Sequence, residues 1–425
     1  MSQYLAVPPA KRLAGRLRVP SSKSATNRAL LLAALTAAPV EIVGPLESDD
    51  TEALRRCLAA MGADIRKTPD GLRVSGPLRG ERGAEVLLDA GDSGTAARFL
   101  TAAAAVTPGR FRLGGPPRLC QRPIGELVNA LRAAGARIGY GGHEGCLPLE
   151  IDGGALASDE VAVDASRSSQ FLSALLLSAV AVEGGLRVRP TGAVASSPYV
   201  ATTLEVLRDF GHEAEAGETI AVRRGGRVAG RYDVPGDYSS AVPLAAAVAA
   251  AGGEVTLEGL RWPSGDADAG ALPVLEAMGL ALERDGSALR LRGDRSALRP
   301  ASATATSFPD AVPSLAALAM LCPGRSVFSG VGHLRLKESD RLASLAALAE
   351  AVGARAQPTE DALAIEGIAH AAPPLVRAPT FRDHRIAMAA GILALRVPGV
   401  LVEDPDCVAK SYPSFFRDLE ALARR

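Results

Sequence analysis

Polar and apolar positions along the chain follow one pattern that occurs six times. A short polar or charged cluster precedes an Ala- and Leu-rich run of helical length, and a short β-like run follows. The six clusters begin at Lys23, Asp92, Ser168, Asp237, Asp310 and Asp383. Because the first turn of a helix carries unpaired N–H groups and a partial positive charge, many such helix starts favour anion binding.

A second helix with a polar start is predicted after each β-like run. Five of these helices end at a glycine, the residue that most easily takes the left-handed conformation past a helix: Gly62, Gly135, Gly211, Gly279 and Gly353. The glycines are about 70 residues apart, and a constant spacing of this size indicates an internal repeat. Alternating sequence typical of two strands follows each glycine. The pattern therefore predicts six mixed α/β units.

Six units in 425 residues divide most simply into two lobes of three. We place the first domain at 19–235 and the second at 1–18 together with 236–425, because Pro235 and Gly236 interrupt the pattern. The strand-like segment LAGRLRVP, which ends at Pro20, is expected to pair with the second lobe. The chain would then cross between the lobes near residues 19 and 235.

Composition excludes several classes of protein. Net charge is zero, so charge alone indicates no nucleic-acid partner. The longest apolar run, 171–182, is too short to span a membrane, and no signal peptide is evident, so we expect a cytoplasmic protein. Five scattered cysteines without a CxxC motif favour a reducing compartment. The absence of HxxxH and HExxH spacing predicts no metal site.

Charged residues gather at the predicted helix starts, although Lys is rare in this Arg-rich chain. The candidates are seven cations, Lys23, Arg28, Arg122, Lys337, Arg341, Arg385 and Lys410, and two carboxylates, Asp310 and Glu338. A neutral protein with so much local positive charge is expected to bind strongly anionic ligands. Ordinary helix caps and a salt-bridged surface remain the alternative for each residue taken alone.

Two local expectations concern the carboxylate region. Asp310 has mostly apolar neighbours in SFPDAVPSL, a setting that raises a carboxylate pKa and suits a general base. Lys337 and Arg341 are four residues apart in LKESDRL, so they are expected to share one helix face.

Nine segments resemble, in order, the motifs of the EPSP synthase family. They are SSKSATNRALLLAAL, GDSGTAARF, QRPIGELVNAL, SSQFLSALL, SSPYV, PDAVPSLA, LKESDRL, RDHRIAMA and CVAKSYPSFF. The resemblance implies two lobes of three βαβαββ units each, with helix N-termini that face a cleft between the lobes. It implies transfer of the enolpyruvyl group of phosphoenolpyruvate to the 5-hydroxyl of shikimate 3-phosphate, without a metal or organic cofactor. We expect the protein to be a monomer.

The resemblance also assigns residues to the two substrates. It assigns to shikimate 3-phosphate Lys23, Ser24, Arg28, Ser168, Ser169, Gln170, Ser196, Asp310, His333 and Lys337. It assigns to phosphoenolpyruvate Lys23, Gly94, Arg122, Gln170, Arg341, Arg385 and Lys410. Asp310 would accept the hydroxyl proton, Glu338 would exchange the proton of the methylene carbon, and Lys23 would belong to the catalytic set.

The sequence departs from the family pattern at Ser21, Asp92 and His333, where Gly, Asn and Asn are usual. Gly94 is retained, which implies inhibition by glyphosate in competition with phosphoenolpyruvate. One alternative is the sister transferase that acts on UDP-N-acetylglucosamine, but Cys120 lies too close to Arg122 to match its reactive cysteine. The other is a phosphoester-binding protein without catalysis, which the presence of Lys23, Asp310 and Glu338 disfavours.

Overall fold

The fold is mixed α/β, and the computed structural model describes residues 3–81, 83–194, 198–225, 230–262, 264–368 and 374–424. The α-helices in these ranges are α1 (Lys23–Ala34), α2 (Asp49–Ala60), α3 (Gly94–Val106), α4 (Gly125–Ala133), α5 (Ser169–Ser178), α6 (Pro198–Asp209), α7 (Tyr238–Ala251), α8 (Leu272–Ala277), α9 (Val312–Met320), α10 (Arg341–Ala351), α11 (His384–Ala394) and α12 (Phe415–Ala423). No helix in these ranges is both long enough and apolar enough to cross a membrane.

Between consecutive α-helices from α1 to α12, the described residues form one strand and three strands in turn. The strands are β1 (Tyr4–Ala6), β2 (Leu13–Arg18), β3 (Val40–Val43), β4 (Asp64–Thr68), β5 (Gly71–Ser75), β6 (Glu85–Asp89), β7 (Gly109–Gly114), β8 (Arg137–Tyr140), β9 (Leu149–Gly153), β10 (Glu160–Asp164), β11 (Leu186–Thr191), β12 (Glu213–Glu215), β13 (Ile220–Arg223), β14 (Arg231–Asp233), β15 (Gly253–Glu258), β16 (Ala281–Asp285), β17 (Ala288–Gly293), β18 (Ala303–Thr304), β19 (Arg325–Ser329), β20 (Arg355–Pro358), β21 (Ala362–Glu366), β22 (Val376–Ala378) and β23 (Val400–Glu403).

Polar side chains in or directly before five of the six clusters cap helices as predicted, because they accept hydrogen bonds from the otherwise unpaired N–H groups of the first turn. Ser22, Ser93 and Asp237 cap α1, α3 and α7 in this way. Asp310 makes no such cap at the start of α9. At the other end of the second helices, Gly62 and Gly353 have φ of 92° and 82°, the left-handed conformation that ends a helix. These caps set which residues form each first turn.

The repeat is confirmed by the sheet topology. In a complete unit a strand–helix–strand crossover places two strands parallel, and the following hairpin adds two antiparallel strands, as in the order β6-β7-β9-β8. The same arrangement occurs in β10-β11-β13-β12 and β18-β19-β21-β20. Among the described residues the sixth unit has no hairpin of its own, and β1 pairs there with β23 instead.

Two strands join sheets that are distant in the sequence. β2 precedes α1 but pairs with β15 over all six of its residues, and β14 precedes α7 but pairs with β3. The expected pairing of the LAGRLRVP segment with the second lobe is therefore confirmed. Each of these two strands forms one edge of a four-stranded sheet.

The chain forms two compact units, 1–20 with 235–425 and 21–234. Each unit has its own apolar core, in which Ala-rich helices such as α7 and α3 are buried. Compactness does not show that a unit folds by itself, so the division into domains made from the sequence stays a prediction.

Several helices begin later than the sequence pattern predicts, α8 among them, which begins at Leu272 after a 3₁₀ segment. α4 begins at Gly125 rather than at Pro123, and α12 begins at Phe415 rather than near Lys410. α10 begins at Arg341, because Asp340 accepts the N–H groups of Leu342 and Ala343 and thereby caps the helix. The expectation that Lys337 and Arg341 share a helix face is therefore wrong, since Lys337 lies in the bend before the helix.

Candidate active site

Arg341 is the centre of a charged cluster in the unit formed by 1–20 and 235–425. Its side chain is 1% exposed and donates to three carboxylates, each at 2.8 Å: Nε to Asp383, Nη1 to Asp310 and Nη2 to Glu338. Burial lowers the pKa of this guanidinium, but the three carboxylates outweigh burial and hold the pKa well above its usual range. The planar and permanently charged guanidinium of Arg341 therefore fixes the positions of Asp310 and Glu338.

Asp310 is surrounded by cations rather than by apolar groups. It lies in the 3₁₀ turn Pro309–Ala311, with Arg341 at 2.8 Å, Arg385 at 3.6 Å and Lys337 at 3.9 Å. Burial raises the pKa of Asp310, but Lys337, Arg385 and Arg341 together hold it well below its usual range. The expectation of a raised pKa is therefore wrong, because the sequence did not reveal which cations fold against this residue.

Glu338 lies in the bend before α10 and contacts two cations. Its Oε2 accepts from Arg341 at 2.8 Å, and its Oε1 lies 3.6 Å from Nζ of Lys410. Lys410 is at the end of the 3₁₀ segment Pro405–Lys410, and it is almost fully buried. The carboxylate of Glu338 is therefore held between an arginine and a lysine from different elements.

Arg385 is in the first turn of α11 and is 1% exposed. Its Nη1 donates to the backbone oxygen of Ser239 at 2.5 Å, and its Nη2 donates to Oγ of Ser239 at 2.6 Å. Burial lowers the pKa of Arg385, but the nearby carboxylates of Asp310, Asp268 and Asp237 raise it above its usual value. Ser239, in the first turn of α7, thus fixes the position of a cation that faces Asp310.

His333 and Lys337 are on the same irregular segment as Glu338. His333 is in the 3₁₀ segment Gly332–Leu336, and its Nε2 is buried without a hydrogen-bond partner in the described residues. Burial and the charge of Lys337 lower the pKa of His333 to about 4, so its imidazole is neutral at physiological pH.

Lys23 is the first residue of α1 in the unit 21–234. Its Nζ lies 3.0 Å from Oδ2 of Asp50, in the first turn of α2, and both side chains are largely buried. The pair offsets the unfavourable position of a cation at a helix N-terminus. Ser24 follows directly, and its backbone oxygen accepts from Arg28 at 2.9 Å.

Arg28 is buried and binds protein acceptors on α6 and α5. Nε donates to Oγ1 of Thr203 at 2.9 Å, and Nη2 donates to the backbone oxygen of Tyr199 at 3.1 Å and to Oγ of Ser173 at 3.4 Å. These contacts join the start of α1 to two neighbouring helices. A direct contact between Arg28 and a substrate stays a prediction.

Arg122 and Gly94 lie against each other at the start of α3. A Cβ atom added at Gly94 would be 2.6 Å from Nη1 of Arg122 and 2.5 Å from Nη1 of Arg98. Nε of Arg122 is buried without a hydrogen-bond partner among the described residues, and no carboxylate of those residues forms an ion pair with this side chain. A half-buried cation beside a helix N-terminus favours an anionic ligand.

Gln170 lies in the first turn of α5, between groups of α3. Its Oε1 accepts from Nη1 of Arg98 at 3.1 Å, and its Nε2 donates to Oγ1 of Thr95 at 3.1 Å. Ser168 caps this helix, and Ser169 is its buried first residue. Ser196 lies outside the described residues. Lys23, Gly94, Arg122 and Gln170 thus belong to one unit, whereas Asp310, His333, Lys337, Glu338, Arg341, Arg385 and Lys410 belong to the other.

The sequence pattern did not reveal Asp383, Ser239, Asp50 or Arg98 as partners of the candidate residues. Asp383 caps a predicted helix, and Ser239 and Asp50 lie in the first turns of predicted helices, so a polar helix start was the signal that could have found them. Arg98 lies in the second turn of its helix and had no such signal. Within the described residues no group of three or more His, Cys, Asp and Glu side chains could hold a metal ion.

Comparisons with known proteins point to one family. A family model described as EPSP synthase (3-phosphoshikimate 1-carboxyvinyltransferase) matches residues 7–419. The 3-phosphoshikimate 1-carboxyvinyltransferase of Syntrophobacter fumaroxidans is 40% identical over 422 residues, which cover 98% of this chain and 99% of that protein. The enzyme of the same name from Sulfurovum sp. is 36% identical, with 98% of each chain covered. The solved EPSP synthase from Acinetobacter baumannii superposes with a TM-score of 0.81 at 27% identity, over 100% of this chain and 98% of that one.

Proposed function

Because the chain belongs to the EPSP synthase family and transfers the enolpyruvyl group of phosphoenolpyruvate to the 5-hydroxyl of shikimate 3-phosphate, we propose that Asp310 and Glu338 are its proton-transfer residues. The reaction is a step of aromatic amino-acid biosynthesis. The observation that carries the proposal is the guanidinium of Arg341, which donates to both carboxylates at 2.8 Å. One group therefore sets the spacing of the two residues.

The proposed reaction has an addition and an elimination. The 5-hydroxyl oxygen forms a bond to C2 of phosphoenolpyruvate and loses its proton to Asp310, while Glu338 delivers a proton to the methylene carbon and a tetrahedral ketal results. Glu338 then removes a proton from the new methyl group as the C2–O bond to phosphate breaks. Glu338 thereby recovers the proton that it delivered. Phosphate leaves with the electron pair of the broken bond and takes up the proton that Asp310 accepted.

The low pKa of Asp310 supports a change in base strength when substrates bind. The three cations that hold this carboxylate ionised include Arg341 and Arg385, which the resemblance assigns to phosphoenolpyruvate. Substrate anions beside these cations would offset their charge, so the pKa of Asp310 would rise and the residue would become a stronger base. Asp310 would thus be ionised in the free enzyme and would gain basicity in the loaded one.

The residues of the unit 21–234 are proposed to bind substrate anions. The half-buried Arg122, which forms no ion pair within the described residues, lies beside the N-terminus of α3 and supports a phosphoenolpyruvate contact shared with Gly94 and Gln170. Lys23, Ser24, Ser168 and Ser169 lie at the starts of α1 and α5, where backbone N–H groups favour phosphate. In the other unit, the buried Nε2 of His333 supports a hydrogen bond to shikimate 3-phosphate.

We propose that the protein acts as a monomer. Free cysteines among the described residues support a reducing, cytoplasmic environment. Light scattering of the purified protein tests the monomer, and a dimer that is required for activity would contradict it.

The proton-transfer roles are tested with Asp310→Asn and Glu338→Gln. Phosphate release from phosphoenolpyruvate should require shikimate 3-phosphate and should fall by about 10²–10⁴-fold in each variant. In deuterium oxide, the wild type should place deuterium in the methylene group of the product, and Glu338→Gln should lose this exchange. Glu350→Gln, an exposed carboxylate on α10, is the matched control. Full turnover by Glu338→Gln would contradict the proposal. Phosphate release with UDP-N-acetylglucosamine in place of shikimate 3-phosphate would also contradict it.

Inhibition by glyphosate gives a separate test of the Gly94 region. Initial rates at several phosphoenolpyruvate concentrations should show competitive inhibition. Full activity in large excess of glyphosate would contradict the proposed phosphoenolpyruvate site at Gly94 and Arg122.

A further inference from the structure

Arg98 lies in the second turn of α3 and is buried, but it has no role in the proposed reaction. Its guanidinium donates to groups on three segments: Nη1 to the backbone oxygen of Gly94 at 2.9 Å and to Oε1 of Gln170 at 3.1 Å, and Nη2 to the backbone oxygen of Pro123 at 3.0 Å. Each acceptor belongs to, or directly follows, a residue that is proposed to contact phosphoenolpyruvate.

The three contacts constrain different properties of the site. The contact with Oε1 orients the amide of Gln170, because the opposite side of that amide then donates to Thr95. The contact with Pro123 fixes the backbone directly after Arg122, in a stretch that belongs to no helix before α4 begins at Gly125. The ring of the buried Phe171 lies 5.4 Å from Cζ of Arg98 and restricts movement of the guanidinium.

We propose that Arg98 is a positioning residue that aligns Gln170 and Arg122 with the start of α3 for phosphoenolpyruvate. The inference rests on the proposed contacts of those two residues with this substrate. A planar guanidinium offers two fixed donor directions to separate segments, whereas a lysine ammonium is a point charge without this fork. Arg98 acts through Gln170 and Arg122 and does not itself need to contact substrate.

The test compares Arg98→Lys with wild type in steady-state kinetics. The KM for phosphoenolpyruvate should rise by about 10-fold or more, because small misplacements of substrate-positioning groups are costly. The Kd of shikimate 3-phosphate, measured by calorimetry, should change by less than about 3-fold, because its other proposed ligands stay in place. An unchanged KM, or equal changes for both substrates, would overturn the inference.

Arg132→Lys is the matched control. Arg132 also donates to a backbone oxygen, that of Ile138 at 2.8 Å, and also stacks on an aromatic ring, that of Tyr140 at 4.8 Å. It belongs to the same unit but contacts none of the proposed ligands through these bonds. The control should therefore lose stability without a change in the KM for phosphoenolpyruvate, and an equal KM change in the control would refute a specific role for Arg98.

Chemical rescue distinguishes the planar geometry of the Arg98 guanidinium from its charge. Arg98→Ala should recover a low KM when millimolar guanidinium is added but not when ethylammonium is added. Recovery with both cations, or with neither, contradicts a role for the planar fork. Should this variant not fold, Arg98→Lys still decides the question.

The underlying site assignment is checked in the same assay with Arg122→Lys and Gln170→Ala. If neither variant changes the KM for phosphoenolpyruvate, the proposed contacts of those residues are wrong. If both variants change it and Arg98→Lys does not, only the positioning role of Arg98 is wrong.

Discussion

Single residues of the candidate site are governed by charge pairing in the interior. Arg341 donates to Asp310, Glu338 and Asp383, so three carboxylates share one buried cation. Removing one member of such a group leaves the others buried without full compensation, which is costly. Substitutions here should therefore change both stability and catalysis, and the experiments must measure the two separately.

Ser239→Ala should weaken phosphoenolpyruvate binding. Arg385 would lose the Oγ acceptor at 2.6 Å and keep the backbone acceptor, so its guanidinium would no longer be fixed on both nitrogens. We expect the KM for phosphoenolpyruvate to rise by about 3- to 10-fold, in line with the loss of one hydrogen bond to a charged group, with a smaller change in kcat. Steady-state kinetics measure both constants.

The control for this prediction is Ser240→Ala, a buried serine on the same turn of α7. It should leave the KM for phosphoenolpyruvate near the wild-type value. A wild-type KM in Ser239→Ala would show that the backbone contact alone holds Arg385.

Asp310 should make stability depend on pH in a defined direction. Its pKa in the folded protein is lowered, so its ionised form stabilises the fold at any pH above the unfolded value of about 4. That contribution is lost as the pH falls further, toward the lowered folded pKa. The stability difference between wild type and Asp310→Asn should therefore be constant from pH 7 to pH 5 and should shrink below about pH 4.

Urea unfolding at several pH values measures this difference. Asp64→Asn, in an exposed ion pair with Arg66, is the control and should change stability by about 0–1 kcal/mol. A difference that already shrinks between pH 7 and pH 5 would mean that the pKa of Asp310 is raised rather than lowered.

At the scale of elements, the start of a helix decides which side chains enter the candidate site. Gly94, Ser169, Arg341 and Arg385 all lie in first turns, and Lys23 is the first residue of α1. Caps such as Ser93 and Asp383 accept backbone N–H groups and thereby determine where each turn begins. A displaced cap would move the site residue that follows it.

Asp340→Ala should reduce both stability and turnover. Oδ1 of Asp340 accepts the N–H groups of Leu342 and Ala343 at 3.1 Å, and Arg341 is the next residue. Loss of the cap should cost about 1–2 kcal/mol of unfolding free energy and should reduce kcat, because Arg341 holds both Asp310 and Glu338. Thermal unfolding and phosphate release measure the two effects.

Asp340→Asn is the comparison, because it retains the capping oxygen and loses only the half-exposed ion pair with Arg335. It should keep most of the stability and most of the turnover. Equal losses in both variants would show that the ion pair, rather than the cap, supports Arg341.

At the scale of the whole molecule, a strand near the N-terminus pairs with a strand that is distant in the sequence. β2 completes the sheet of β15, and Leu13 and Val19 are buried in the core of that unit. The segment before the first repeat is thus part of the unit that contains 235–425. This segment therefore stabilises residues that are far away in the sequence.

Deletion of residues 1–18 should destabilise the 235–425 region selectively. Without β2, the strand β15 becomes an exposed edge and the core loses Leu13. We expect new protease cleavage sites within 235–425 and continued protection of most of 21–234. Limited proteolysis with mass spectrometry locates the sites.

A chain that lacks only residues 1–10 is the control, because it loses β1 but keeps β2. Its cleavage should be confined to the neighbourhood of β23, with which β1 pairs. New cleavage mainly within 21–234 in the longer deletion would contradict the assignment of β2 to the other unit.

Local features could be predicted from the sequence because they depend on neighbouring residues. The polar clusters at Lys23 and Asp92 indicated helix starts, and Gly62 and Gly353 indicated helix ends, since caps and left-handed glycines act within a few residues. The repeat spacing indicated six units, and the ordered motifs indicated the family. The segment LAGRLRVP indicated a strand, and this strand pairs with β15 in the unit that contains 235–425.

Only the tertiary structure decided the electrostatic surroundings of these residues. Asp310 looked apolar in its own segment, but Lys337, Arg341 and Arg385 fold against it from other elements and reverse the direction of its pKa shift. Ser239 contacts Arg385 from 146 residues away, and Arg98 contacts Gln170 from 72 residues away. Coulomb interactions and hydrogen bonds depend on distance in space, so such pairs appear only when the chain is folded.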